Sequence, residues 1–199
     1  MRLYDYLPSG NGYKARLLFS HLGRAYERVE LDIDRQETRT SEFLEINPNG
    51  RVPTLVLDSG EVITESNAIL FYLAEGTSYL PRDKLGRAHT LQWMFFEQYS
   101  HEPYIAVSRY ILQHLPADHS RRATLPDLET RGYMALDVME KRLAAHSFFV
   151  DEYSIADIAL YAYTHLADEG GFDLSGYPAI NVWLERCRGQ TGHIAITAG

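Results

Sequence analysis

The sequence predicts an α/β domain followed by an all-α domain, and three observations carry that prediction. Strand-length and helix-length patterns alternate through the first part of the chain. No convincing strand pattern follows Gly86. Between them lies a proline-bearing stretch, Thr77 to Gly86, with the character of a linker. The predicted boundaries are therefore residues 1–76, a linker over 77–86, and a helical domain over 87–199. Both parts of this 199-residue chain lie within the usual domain range.

Leu3 to Leu7 is apolar and aromatic and reads as the first strand. Pro8-Ser9-Gly10-Asn11-Gly12 has loop chemistry. From Tyr13 the pattern turns helical, with Ala15, Leu17, Leu18 and Leu22 on one stripe and Gly23 as a stop. Tyr26 to Leu31 reads as a second strand, which predicts a right-handed parallel unit. Asp32 to Thr40 is polar and reads as loop, and Ser41 to Ile46 as a short helix closed by Asn47-Pro48-Asn49-Gly50. Arg51 to Leu57 is extended, Asp58-Ser59-Gly60 turns the chain, and a short strand follows. A helix then opens at Thr64-Glu65-Ser66 and ends near Gly76.

In the second half, Arg87 to Leu115 is helical by spacing, with Leu91, Phe95 and Tyr99 four apart and Trp93 and Phe96 assigned to the same, mostly core, side. Pro103 should kink or divide this helix, and Pro116 ends it. Thr124 to Ala145 reads as another helix. Ser154-Ile155-Ala156-Asp157 ahead of an apolar run has the form of a capping box. Pro178 to Arg188 makes a last short helix.

Composition narrows the function classes. A net charge of −8 argues against a nucleic-acid partner, which needs a basic face. No apolar run is long enough for a membrane span, and the first residues read as a strand rather than a signal peptide. The single cysteine, Cys187, excludes an intrachain disulfide and fits a cytoplasmic location. The eight histidines show no tight ligand spacing and no G-x-S-x-G occurs, so neither a metal site nor a hydrolase triad is expected.

The stretch Arg51 to Ile69 carries the most chemistry. A Pro at the head of a strand leaves Val52 extended, with backbone groups open to a second extended chain. The helix start beyond Glu65 offers unpaired N–H groups to a carboxylate, and Glu65 can pair with an ammonium group. A peptide-like ligand with an amino-acid end fits all three features.

Three motifs together resemble the cytosolic glutathione transferase superfamily. Ser9-Gly10-Asn11-Gly12-Tyr13-Lys14 resembles the serine-bearing loop of bacterial theta-like members and is similar to nu-class and Ure2-like ones, which favour disulfide chemistry. Val52-Pro53 with Glu65-Ser66-Asn67 resembles the glutathione-holding pair, and Ser154 to Asp157 the capping box of the second domain. The resemblance spans the whole chain and implies a thioredoxin-like domain followed by a helical bundle. It also implies a homodimer, a cis Val52–Pro53 bond, and Glu65 and Ser66 on the γ-glutamyl end of glutathione. Arg51 and Arg39 would meet the glycyl carboxylate; the histidine that theta-like members place near Thr38 is missing.

A free thiol has a pKa of about 8.5, and only the thiolate is nucleophilic. Ser9 and Asn11 can each donate a hydrogen bond to sulfur, and donation to the charged form lowers its pKa. They are expected as thiolate stabilisers, not bases. Which of the two touches sulfur stays open. Each residue also has a bland reading: Ser9 and Asn11 as turn formers, Glu65 and Ser66 as helix capping, Arg39 as a surface charge. Tyr104 and Tyr110 are candidates for lining a pocket for a small hydrophobic second substrate. The expected activity is conjugation of the co-substrate glutathione to small electrophiles in detoxification, with no metal. The alternatives are glutathione-dependent disulfide or peroxide reduction and a non-catalytic glutathione-binding protein.

Overall fold

The computed structural model describes residues 1–198. The chain forms two compact units, one of residues 1–77 with 191–198, the other Ser78–Gln190.

In the first unit β1 (Arg2–Asp5), α1 (Gly10–His21) and β2 (Glu27–Glu30) form the parallel crossover expected from the sequence. After α2 (Ser41–Ile46), β3 (Thr54–Val56) and β4 (Val62–Thr64) add antiparallel strands, and α3 (Ser66–Ala74) follows. The sheet order is β2-β1-β3-β4, with Leu3 opposite both Arg28 and Leu55. Leu3, Leu17, Leu18, Phe19, Leu55, Ile69, Leu70 and Leu73 have no exposed surface and make the core between sheet and helices. This is the thioredoxin-like arrangement.

Two element starts differ from the sequence reading. Helix α1 begins at Gly10 rather than Tyr13, because the Ser9 side chain accepts from Gly12 N at 3.2 Å and caps it. Gly12 serves close approach: a Cβ there would lie 1.6 Å from Asp5 Oδ1. Thr64 does not open α3 but pairs with Thr54 in the sheet, so the helix starts at Ser66.

The largest departure is the C-terminus. The sequence reading placed residues 87–199 in the helical part, yet 191–198 pack on α1 of the first unit. Tyr13 donates to Ile194 O at 2.6 Å, Ser20 to Gly192 O at 2.7 Å, and Arg16 to Ile196 O at 2.8 Å and Ala198 O at 2.6 Å. Arg16 is fully buried, in a 2.8 Å ion pair with the equally buried Asp5, and also donates to Leu7 O. A buried guanidinium needs acceptors on all its faces, and the tail carbonyls supply them.

The second unit is helical among the described residues, with α4 (Lys84–Phe96), α5 (Glu102–His114), α6 (Leu125–Leu143), α7 (Ile155–Thr164) and α8 (Pro178–Arg188). Helix α4 begins inside the predicted linker, capped by Asp83, which accepts from Gly86 N at 2.8 Å. Helices α4 and α5 are continuous through a π turn at Glu97–His101. That wider turn sits just ahead of Pro103, whose ring cannot coexist with a regular α-turn carbonyl four residues back. The predicted aromatic stripe is only partly covered: Phe95 is 68% and Tyr99 81% exposed, whereas Trp93 packs on the buried Phe149 with ring centroids 4.6 Å apart, and Thr90, Met94, Glu97 and His101 are buried. The helical period was right, but Phe95 and Tyr99 fall outside the covered face, because aromatic content alone does not say which side chains of a stripe are covered.

Helix α7 is buried along its whole length. Its capping box forms as the sequence indicated: Ala156 N donates to Ser154 Oγ at 3.2 Å and Ser154 N to Asp157 Oδ2 at 3.0 Å. Asp157 also accepts from Phe149 N at 3.1 Å and Trp183 Nε1 at 3.0 Å. Among the described residues, no helix is long and apolar enough to cross a membrane.

Candidate active site

The site in the first unit is built on three chain segments. The first is the approach to β3. Buried Asn47 donates to Arg51 O and to Thr54 Oγ1, both at 2.9 Å, and accepts from Asn49 N at 3.0 Å. Thr54 adds a second donor to Arg51 O at 2.9 Å. These bonds hold the loop that carries the cis Val52–Pro53 peptide. They leave the N–H and C=O of Val52 without a partner among the described residues. An extended peptide can pair there.

The second segment is the start of α3. Glu65 has φ +66°, a left-handed conformation that strains a residue with a Cβ. Its side chain does not cap the helix and has no partner among the described residues. The first N–H groups of α3 have no acceptor within the helix, and Glu65 lies beside them, exposed. One turn of chain thus offers donors for a carboxylate and an anion for an ammonium, the two ends of an amino acid.

The third segment is the start of α1. Ser9 Oγ accepts from Gly12, while its own proton has no acceptor among the described residues. Asn11, two residues on, lies in the first turn. Its Oδ1 accepts from Lys14 Nζ at 2.8 Å and from the Ser66 hydroxyl at 3.1 Å. Lys14 Nζ also reaches Ser66 Oγ at 3.3 Å. Lys14 has no exposed surface. This three-residue network ties the start of α1 to the start of α3 and brings Asn11 and Ser66 into contact.

Other predicted residues stand apart. Arg39 lies across Gly50 and donates to Asn49 O at 3.1 Å, which anchors it to the loop before Arg51. Arg51 is exposed, and its guanidinium has no partner among the described residues. Tyr104 and Tyr110 do not converge: Arg131 lies 5.8 Å over the Tyr104 ring, whereas Tyr110 stacks on His114 at 5.0 Å beneath Arg121. Six residues on a helix turn the side chains about 120° apart, so the separation follows from the period. Three supporting residues escaped the sequence reading. Lys14 sat in the quoted motif with no role, though its i, i+3 spacing from Asn11 was a signal. Asn47 and Thr54 looked like ordinary turn and strand residues.

The electrostatics set limits on the chemistry. Burial pushes the Cys187 thiol well up, so the chain's own cysteine is not a ready thiolate. Burial also raises the Asp5 carboxyl to about 6, although Arg16 beside it pulls the other way. No group of three or more metal-ligating side chains occurs among the described residues. The site therefore provides hydrogen-bond donors and an open backbone edge, and a thiol reacting here must come with the ligand.

The thioredoxin-like unit and the helical unit together have the two-domain architecture of glutathione S-transferases. Residues 1–75 match the family described as glutathione S-transferase, N-terminal domain, and residues 122–186 its C-terminal domain. The chain belongs to the glutathione S-transferase family and is a glutathione S-transferase-like enzyme. It is similar to a glutathione S-transferase structure from Pseudomonas fluorescens, with 51% identity, 98% of each chain covered and a TM-score of 0.94. It is 32% identical to the disulfide-bond oxidoreductase YfcG of Escherichia coli, over 97% of this chain and 94% of that protein. A glutathione transferase from Pseudomonas putida, solved with one glutathione disulfide bound per subunit, is 25% identical with a TM-score of 0.84, over 96% of this chain and 87% of that one.

Proposed function

We propose that this enzyme binds glutathione on its first unit and presents the thiolate to a small electrophile. The observation that carries the reading is the open N–H and C=O of Val52 beside the uncapped start of α3. In this reading Val52 pairs with the cysteinyl backbone, while Ser66 and Glu65 take the γ-glutamyl carboxylate and ammonium. Arg51, with Arg39 beside it, meets the glycyl carboxylate. Ser9 and Asn11 donate to sulfur, favouring ionisation without acting as bases. The thiolate displaces the leaving group of an electrophile such as a haloarene, giving a thioether.

A second reading has an observation in its favour, the similarity to YfcG and to the structure holding glutathione disulfide. There the thiolate attacks the glutathione sulfur of a mixed disulfide, a new S–S bond forms glutathione disulfide, and the displaced thiolate takes up a proton. The exposed Phe95 and Tyr99 on one helical face support a homodimer. The absence of a membrane-spanning helix among the described residues is consistent with a cytoplasmic enzyme.

Calorimetric titration with glutathione tests the shared step. Turnover of a chlorodinitroarene against turnover of a glutathione mixed disulfide separates the two reactions. Failure to bind glutathione would overturn both.

A further inference from the structure

The donor to sulfur has to face the right way. The Asn11 amide has an accepting oxygen and a donating nitrogen, related by a half-turn of the side chain. Only the nitrogen end can donate to a thiolate. Two donors converge on the oxygen, Lys14 Nζ at 2.8 Å and the Ser66 hydroxyl at 3.1 Å. An ammonium carries donors and no acceptor, so the turned-over amide would set donor against donor. A hydroxyl has no such polarity, since it can also accept. Lys14 is thus the member of the network able to impose one orientation.

Its burial sharpens the point. Lys14 is fully buried on α1, one turn beyond Asn11. A methionine would fill a similar volume without desolvating a charge. What the ammonium adds is its donor-only character, directed at Asn11 and Ser66.

We infer that Lys14 is a positioning residue for thiol activation: it holds the Asn11 amide with oxygen inward and its NH2 end turned away from Lys14 and Ser66, toward the sulfur. The inference rests on the proposed role of Asn11 at the thiolate. It assigns Lys14 no contact with glutathione.

The experiment titrates the ultraviolet thiolate absorbance of enzyme-bound glutathione against pH for the native enzyme, Asn11→Ala, Lys14→Met and the double variant. Asn11→Ala should raise the apparent thiol pKa by about one unit, the scale of a lost hydrogen bond to the charged form. Lys14→Met should raise it by a similar amount, and the double variant no further than Asn11→Ala alone. Lys14→Gln, a neutral and shorter side chain able to present either end of an amide, should fall between and remains available if Lys14→Met does not fold. A Lys14 variant that weakens glutathione binding but leaves the thiol pKa in place would overturn the inference and make Lys14 a substrate anchor. Additive shifts in the double variant would overturn it too. If neither Ser9→Ala nor Asn11→Ala moves the pKa, the proposed thiolate role fails first and this inference falls with it.

Discussion

The starts of α3 and α7 are both helix N-termini flagged in the sequence, and they have opposite fates. At α7 the donors and acceptors are consumed locally: Ser154 caps, and Asp157 accepts from Ser154, Phe149 and Trp183. At α3 no side chain caps, Glu65 sits at φ +66°, and its carboxylate has no partner among the described residues. A satisfied N-terminus works for the fold. The strained one, which no side chain caps, is the one proposed to receive a ligand.

The comparison breaks most visibly at Asp157. Asp157→Ala strands the Trp183 and Phe149 N–H groups in the interior and should cost about 3–5 kcal/mol, read from urea unfolding. An equally large loss of stability from Glu65→Ala would erase the contrast between the two termini. Glu65→Ala should instead weaken glutathione binding about tenfold or more, the scale of one lost charged contact, with the unfolding midpoint nearly unmoved.

Glu65→Gly sharpens the contrast further. It removes both the carboxylate and the left-handed strain, so stability should rise by about 1 kcal/mol while affinity falls. Ser9 lies between the two cases, since it caps α1 and also keeps a proton to donate. Ser9→Ala should cost about 1 kcal/mol of stability and also lower kcat/KM.

The smallest effect concerns pH. Burial raises both Asp5 and Asp157 from 3.8 to about 6. A carboxyl whose pKa is higher in the folded than in the unfolded state favours folding when protonated. Its contribution is therefore greatest at low pH and is lost as pH rises through about 6. Thermal stability should gain about 1 kcal/mol per group from pH 7 to pH 5, and Asp5→Asn should remove its share.

Much of the fold was legible because its signals are local. Helix α2, helix α8 and the capping box of α7 follow from capping, proline and periodicity over a few residues. The residues proposed to hold glutathione were chosen as a pattern of open backbone groups around Val52 and Glu65, and the structure leaves those groups without a partner among the described residues. Local patterns failed where partners come from distant chain. Phe95 and Tyr99 were misassigned to the core because neighbouring stripes share one period, and packing alone chose between them. Tyr104 and Tyr110 looked alike in sequence and point to different neighbours.

The sequence by itself determined the order of the main strands and helices and the proline-led edge, since each depends on dihedral preferences and spacing within one segment. Only the tertiary structure decided that residues 191–198 close over α1, that Arg16 pairs with Asp5, and that Lys14 meets both Asn11 and Ser66. Those arrangements answer a requirement no segment can meet alone: a charge removed from water must find its partners wherever the fold brings them.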